Sequence, residues 1–220
     1  MSAPASTVGH SGGMALGDAA PALLPYGLLG GTAVHLCIDM QTMFAGRTDW
    51  HVPWMQRVLP AVERLARAQP QRTIFTRFVP PETPDELGGA WRRYYHRWEQ
   101  MTRAHLDPAL ISLVPQLLPF VPPAIVLDKQ HYSPFAEPAL QRCLQERGID
   151  ALVVSGAETD VCVLATVLAA VDLGYRVIVV ADAVCSASDL THDALLTLYT
   201  QRFGQQIEVA NVETVLRVWR

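Results

Sequence analysis

The sequence predicts an α/β protein, a Rossmann-like three-layer α/β/α sandwich around a mostly parallel six-stranded sheet. Three observations lead there. From Val34 onward, short β-branched runs alternate with longer helical patterns, the signature of a parallel sheet covered on both faces. Half of the residues are hydrophobic and only 17% are charged, as expected where strands are buried on both sides. Three of the apolar runs also end in a chemically reactive residue, Asp39, Lys129 or Cys162.

The elements follow in order. Val34-His35-Leu36-Cys37-Ile38 marks a first strand over 33–38, and a helical pattern occupies 53–68. A second strand is predicted over 72–77. A helix over 88–103 carries Trp91, Tyr94, Tyr95, Trp98 and Met101 as one apolar stripe. Ala124-Ile125-Val126-Leu127-Asp128 gives a third strand, followed by a helix over 137–147. Ala151 to Ser155 is the fourth strand and 161–173 its helix. A fifth strand over 176–181, a helix over 190–203, a short strand over 207–210 and a helix over 212–219 complete the set. Gly148 and Gly174 stand just past helices and before strands, where a left-handed cap is needed.

At 220 residues the chain suits one α/β domain, predicted over 32–220, with no internal repeat. Residues 1–31 are rich in Ala, Gly, Ser and Pro and are expected to form a flexible N-terminal arm, mobile or laid on a neighbouring surface. They lack the basic start and apolar core of a signal peptide, and no run approaches membrane-spanning length, so a cytoplasmic location is expected. A net charge of −4 and no basic run argue against nucleic acid or an anionic membrane as partner. The cysteines, at 37, 143, 162 and 185, form no Cys-x-x-Cys pair and suggest neither a zinc knuckle nor a disulfide scaffold. Cys37 and Cys185 read as small core residues and Cys143 as incidental.

The strand ends carry the chemistry. Gly156-Ala157-Glu158-Thr159-Asp160-Val161-Cys162-Val163 leaves the fourth strand at a glycine and becomes helical, placing Cys162 in a first helical turn. Free N–H groups and the helix dipole there favour a thiolate, the reactive form. In an open parallel sheet the strand C-termini share one edge, where ligands bind, so Asp39, Lys129 and Cys162 would converge. A carboxylate, an ammonium and a thiol together suit nucleophilic attack on a carbonyl. Without convergence, Asp39 would be a turn or capping residue, Lys129 a solvated surface lysine, and Cys162 a buried apolar one.

Cys37-Ile38-Asp39-Met40-Gln41, Asp128-Lys129 with Tyr132-Ser133-Pro134-Phe135, and Gly156 to Val163 resemble the isochorismatase-like cysteine hydrolases. So do Gly174-Tyr175-Arg176-Val177, Ala181-Asp182-Ala183 and His192-Asp193-Ala194. The resemblance runs in order over about residues 33–215. It implies that Cys162 attacks the carbonyl of a small amide, N-carbamoyl or ureido compound, or lactam, through a thioester and without a metal. Asp39 would be the base and Lys129 would hold the pair and favour the thiolate. The resemblance also implies an oxyanion hole from the backbone N–H groups of Glu158 and Cys162, with a cis peptide bond at Ala157–Glu158. Phe44, Trp50, Trp91, Tyr95, Tyr132 and Phe135 are the candidate substrate neighbours, favouring a flat or apolar substrate. An acidic substrate would want an arginine, with Arg77, Arg92, Arg93 and Arg97 as candidates.

Two alternatives remain in view. Metal-dependent nicotinamidases carry an Asp-x-His pair and a further His after the second strand. Here Asp49-Trp50-His51 follows the first strand, and Arg77-Phe78-Val79 follows the second, so no catalytic metal or other cofactor is expected. Isochorismatases proper cleave a vinyl ether and lack the cysteine, so Cys162 points to C–N chemistry. A different class altogether would be a non-enzymatic oligomeric binding module with a redox-sensitive Cys162. The long connection from Phe78 to Val121 reads as a helix packed on the sheet or on another subunit, or as a lid over the site. Its apolar stripe and family habit suggest a homo-oligomer, a dimer or tetramer.

Overall fold

Stretches of aliphatic and β-branched residues, too short for buried helices, form the sheet. The computed structural model describes residues 24–220. Its strands are β1 (Ala33–Ile38), β2 (Thr73–Phe78), β3 (Ile125–Lys129), β4 (Ala151–Ala157), β5 (Arg176–Cys185) and β6 (Ile207–Ala210). They form one six-stranded sheet in the order β3-β2-β1-β4-β5-β6. Every strand pair in it is parallel. The chain winds outward from β1 to β3 and then returns to place β4 on the other side of β1. The crevice of an open α/β sheet opens where the order reverses, here between β1 and β4.

The helices are α1 (Thr42–Ala45), α2 (Met55–Ala68), α3 (Gly89–Arg97), α4 (Pro138–Glu146), α5 (Leu164–Asp172), α6 (Asp189–Gln201) and α7 (Val212–Val218). Met55, Val58, Val62 and Leu65 of α2 and Val212, Val215 and Val218 of α7 cover one face, packing against Cys37, Phe75, Val153 and Ile178. Leu140 and Leu144 of α4, Val167 and Ala170 of α5, and Tyr199 of α6 cover the other, against Leu36, Ile74, Val154 and Val179. Alternate residues of each strand therefore feed opposite cores, which gives the predicted three layers.

Four elements differ from the sequence reading. The helix expected over 88–103 stops at Arg97 and continues only as a short 3₁₀ turn at Glu99–Met101. The helix expected from 161 opens as a π-helical turn, Thr159–Val163, before α5 begins. Strands β4 and β5 run further than predicted, through a bulge between Val154 and Gly156, to pair Ala157 with Cys185.

The arm predicted over 1–31 is only partly described, and residues 1–23 lie outside the described residues. Residues 24–31 lie along the surface and are anchored at two points. Leu24 and Leu29 are buried, and Leu29 pairs in parallel with Trp219. Arg176 donates to the carbonyls of Gly27 (2.9 Å) and Leu28 (3.0 Å) while pairing with the buried Glu208 (2.7 Å). Glu208 in turn accepts the Tyr26 N–H at 3.2 Å.

Candidate active site

Strand β1 delivers Asp39 with a left-handed backbone, φ +50°, uncommon outside glycine and a mark of a residue held by its surroundings. Thr76 of the neighbouring β2 does the holding. Its hydroxyl donates to Asp39 Oδ1 at 2.7 Å and accepts the Asp39 N–H at 3.2 Å. Gln41, fully buried, accepts the Phe78 N–H and donates to the Phe78 and Ile111 carbonyls, tying the end of β1 to β2 and to the long connection after it.

Lys129 leaves β3 and passes over the ring of Phe78, with Nζ 4.8 Å from its centroid. Its Nζ lies 2.7 Å from Asp39 Oδ2 and 3.5 Å from Cys162 Sγ, and donates to the His131 carbonyl at 3.0 Å. Beyond that ion pair, Asp39 Oδ2 has no hydrogen-bond donor among the described residues. Asp39, Lys129 and Cys162 are 1, 2 and 7% exposed. The sheet thus brings together the three residues that the strand ends pointed to.

Gly156 fixes where the cysteine loop leaves β4. It adopts φ +106°, and a Cβ there would stand 2.0 Å from the Ile38 carbonyl oxygen, so only glycine fits between the two strands. One residue on, the Ala157–Glu158 peptide bond is cis, at the position the resemblance implies. The Glu158 carbonyl then accepts the N–H groups of Val161 (3.1 Å) and Val163 (3.0 Å), bypassing that of Cys162. The Glu158 N–H has no hydrogen-bond partner among the described residues.

A helix start and a lysine were expected to favour the Cys162 thiolate, with Asp39 taking the thiol proton. Burial instead pushes the thiol well above its ordinary value; Lys129 opposes this, and the Asp39 carboxylate adds to it. Burial alone would lower Lys129, but Asp39 and Cys162 outweigh it and hold the ammonium charged. A charged pair this deep persists because each ion has the other and further hydrogen bonds.

An aromatic wall stands over this group. Trp50 lies 6.2 Å from Phe44, 5.9 Å from Phe78 and from Tyr94, and 6.3 Å from Tyr95, between ring centroids. Trp91 lies 4.6 Å from Tyr132 and 6.1 Å from Tyr95. Five of the six candidate substrate neighbours therefore meet in one cluster. The sixth, Phe135, stacks on Tyr175 at 5.8 Å, away from the wall. Phe78 and Tyr94 complete the cluster and were not among the candidates, and neither was Thr76 behind Asp39. Tyr94 was legible in the helical stripe; Phe78 and Thr76 depend on cross-strand register. Arg92, Arg93 and Arg97 lie on the exposed side of α3, and Arg77 is forked onto Asp128 at 2.7 and 2.9 Å. None of the four points into the cluster.

On the β5 side, α6 clamps the cysteine loop. Glu158 accepts the Ala187 N–H (2.8 Å), Thr159 meets His192 Nδ1 (2.8 Å), and Asp160 accepts from Ser186 and Thr191. A cavity of about 260 Å³ lies beyond that clamp, lined by Trp54, Cys185, Ser186, Asp189 and His192. The three convergent residues do not line it. Among the described residues no three of His, Cys, Asp and Glu gather as metal ligands would, and Asp49 and His51 gain no third partner. Cys37 and Cys185 pack in the core on one face and Cys162 in that on the other. No described helix is long and apolar enough to cross a membrane.

Comparison with known proteins agrees with this geometry. The isochorismatase domain pattern matches residues 33–211. The chain is 32% identical over 205 residues to the ureidoacrylate amidohydrolase RutB of Methylorubrum extorquens, an alignment covering 83% of this chain and 82% of that protein. It is 29% identical over 133 residues to the maleamate amidohydrolase of Pseudomonas putida; that match spans 60% of this chain and only 59% of the relative's length. Among solved structures, a cysteine hydrolase from Pseudomonas syringae pv. phaseolicola superposes with a TM-score of 0.74 at 21% identity, over 90% of this chain and 97% of that one. Domain pattern, sequence relatives and fold agree: the chain belongs to the isochorismatase family.

Proposed function

We propose that this protein is a metal-independent cysteine amidohydrolase that cleaves a C–N bond of a small amide, N-carbamoyl or ureido compound, or lactam. The observation that carries the reading is the buried contact of Lys129 Nζ with both Asp39 Oδ2 (2.7 Å) and Cys162 Sγ (3.5 Å). The names of the relatives, a ureidoacrylate and a maleamate amidohydrolase, support the same reaction class.

Asp39 removes the thiol proton as Cys162 Sγ attacks the substrate carbonyl. Transfer is coupled to attack, and Lys129 stabilises the sulfur's developing charge. The tetrahedral oxyanion is held by the backbone N–H groups of Glu158 and Cys162. Asp39 returns the proton to the leaving nitrogen, which departs as ammonia or an amine and leaves a Cys162 thioester. Asp39 then takes a proton from water, whose oxygen attacks the thioester; the acid leaves and the thiol is restored.

The enzyme works without a cofactor, in the cytoplasm, on a small-molecule substrate. It works as a homo-oligomer, a dimer or tetramer, an assignment supported by the exposed Leu168 and Leu173 on and after α5 and Leu190 and Leu198 on α6. The test of function is ammonia release from a panel of primary amides, N-carbamoyl acids and lactams, with wild type beside Cys162→Ser and with chelator present. Turnover that survives chelation and vanishes in the variant is expected. A folded wild type silent across the panel, or turnover retained by Cys162→Ser, would refute the reading.

A further inference from the structure

We propose that Thr76 is a positioning residue for the base: its hydroxyl occupies Asp39 Oδ1 and locks the residue at the end of β1, so that Oδ2 alone takes and returns the Cys162 proton. The inference rests on the amidohydrolase reading and gives the two carboxylate oxygens separate tasks.

Asp39 is gripped at two points by one group. The Thr76 hydroxyl donates to Asp39 Oδ1 at 2.7 Å and accepts the Asp39 N–H at 3.2 Å, so side chain and backbone of the same residue are fixed together. A hydroxyl has a single proton; giving it to Oδ1 sets the rotor and leaves the lone pairs for the N–H. The grip is rigid on the Thr76 side. Thr76 is fully buried in β2, pairs with Leu127 of β3 in parallel register, and has a β-branched side chain with little χ1 freedom. The backbone it holds is left-handed, at φ +50°.

Packing alone does not require a hydroxyl here. Ile74, Phe75 and Phe78 of the same strand are buried and apolar, and a valine would fill the space of Thr76 with no polar group to satisfy. The other buried threonine of the strand, Thr73, donates to the Gln69 carbonyl at 2.8 Å, an ordinary backbone partner. Thr76 donates to the carboxylate instead, and its bond makes the two oxygens unlike. Oδ1 already accepts a donor, whereas Oδ2 has none among the described residues beyond its 2.7 Å contact with the Lys129 ammonium. A donor on one oxygen draws charge towards itself, so the incoming proton goes to the other. In acylation the thiol proton therefore passes to Oδ2 as Sγ bonds to the carbonyl carbon. Oδ2–H then gives it to the leaving nitrogen as the C–N bond breaks. Without the hydroxyl the carboxylate loses its anchor and its anion loses a donor.

The test is steady-state ammonia release by the full chain, from whichever primary amide, N-carbamoyl acid or lactam of the panel wild type cleaves fastest. It is followed from pH 5 to 9 for wild type, Thr76→Val, which keeps the shape and removes the hydroxyl, and Thr76→Ser, which keeps the hydroxyl. We expect Thr76→Val to lower kcat by about 30-fold or more, with KM within about threefold of wild type. The acid limb of its kcat/KM profile should move up by about one pH unit, because the anion has lost a donor. Thr76→Ser should bring kcat back to within about threefold and return the limb to its wild-type position. The ionisable groups that face Asp39 are Lys129 from β3, Cys162 from the turn before α5 and Cys37 on its own strand, and no variant alters them. A merely structural role would lower the active fraction and leave the limb where it was. If Thr76→Val does not fold, Thr76→Cys, with a weaker donor of similar size, should show the same changes in the same direction. Undiminished kcat without the hydroxyl, a loss carried by KM, an unmoved acid limb, or Thr76→Ser as impaired as Thr76→Val would each overturn the inference. Any of those results with an active wild type leaves the amidohydrolase reading standing, whereas a wild type that cleaves nothing overturns both.

Discussion

His35 sits at the centre of the sheet and should make the protein's stability depend on pH in a calculable way. It is fully buried in β1, with Nε2 2.7 Å from Ser155 Oγ on β4 and Nδ1 3.3 Å from Thr73 Oγ1 on β2. No carboxylate is among those partners, and burial lowers its pKa from 6.5 to about 3. The unfolded chain binds a proton at this side chain below pH 6.5, whereas the folded chain refuses it until about pH 3. Stability therefore falls as pH drops through 6.5, and continues to fall until the folded group also titrates. At pH 5 the penalty relative to neutral pH is 1.5 pH units of linkage, about 2 kcal/mol. For a chain of this size that lowers the melting temperature by about 4–8 °C. The assay is urea unfolding at pH 7.5, 6.0 and 5.0 for wild type and His35→Gln, whose amide cannot titrate. Whatever the starting stability of His35→Gln, its decline between pH 7.5 and 5.0 should be shallower by about 2 kcal/mol. Parallel declines would refute the argument that a neutral, buried His35 links β2, β1 and β4.

Two further outcomes follow from the site. Asp39→Asn should abolish hydrolysis yet speed alkylation of Cys162 by iodoacetamide at pH 7.5, because the Asp39 charge raises the thiol's pKa; slower labelling would show that Asp39 activates the resting thiol instead. Gly156→Ala should cost about 3 kcal/mol or more, since its Cβ would meet the Ile38 carbonyl at 2.0 Å on a backbone at φ +106°; a loss below 1 kcal/mol in chemical denaturation, on the scale of an ordinary surface change, would contradict the close approach of β1 and β4.

Much of this was legible in the chain. Strands such as Val34–Ile38 and Ala151–Ser155 announce themselves because residues buried on both faces of a parallel sheet must all be apolar, and the motif residues stand where such strands end. What stayed hidden depends on packing across the chain. Nothing local stops the 88–103 pattern at Arg97. The π turn before α5 reflects the fit of the Glu158–Cys162 loop between β4 and α6, and no single residue encodes it. Thr76 is an ordinary β-former until register sets it beside Asp39. The desolvation of Cys162 stayed hidden for the same reason: helix position and a nearby lysine can be inferred from order along the chain, but burial that pushes the thiol's pKa up exists only in the folded interior.

The placement of the aromatic wall has an evolutionary corollary. Base, cation and nucleophile are borne on strand ends, whereas Trp91, Tyr94 and Tyr95 all come from the single excursion between β2 and β3. That excursion is joined to the end of β1 through Gln41, which bonds Phe78 at its root and Ile111 within it, and through the backbone bonds of Thr42 to Ser112 and of Val114 to Met40. Side chains on its inward face therefore belong to a different stretch of chain from the reacting groups, and substitution there leaves the strands that carry Asp39 and Lys129 unaltered in sequence. New substrates can be acquired along this path while the reaction stays the same.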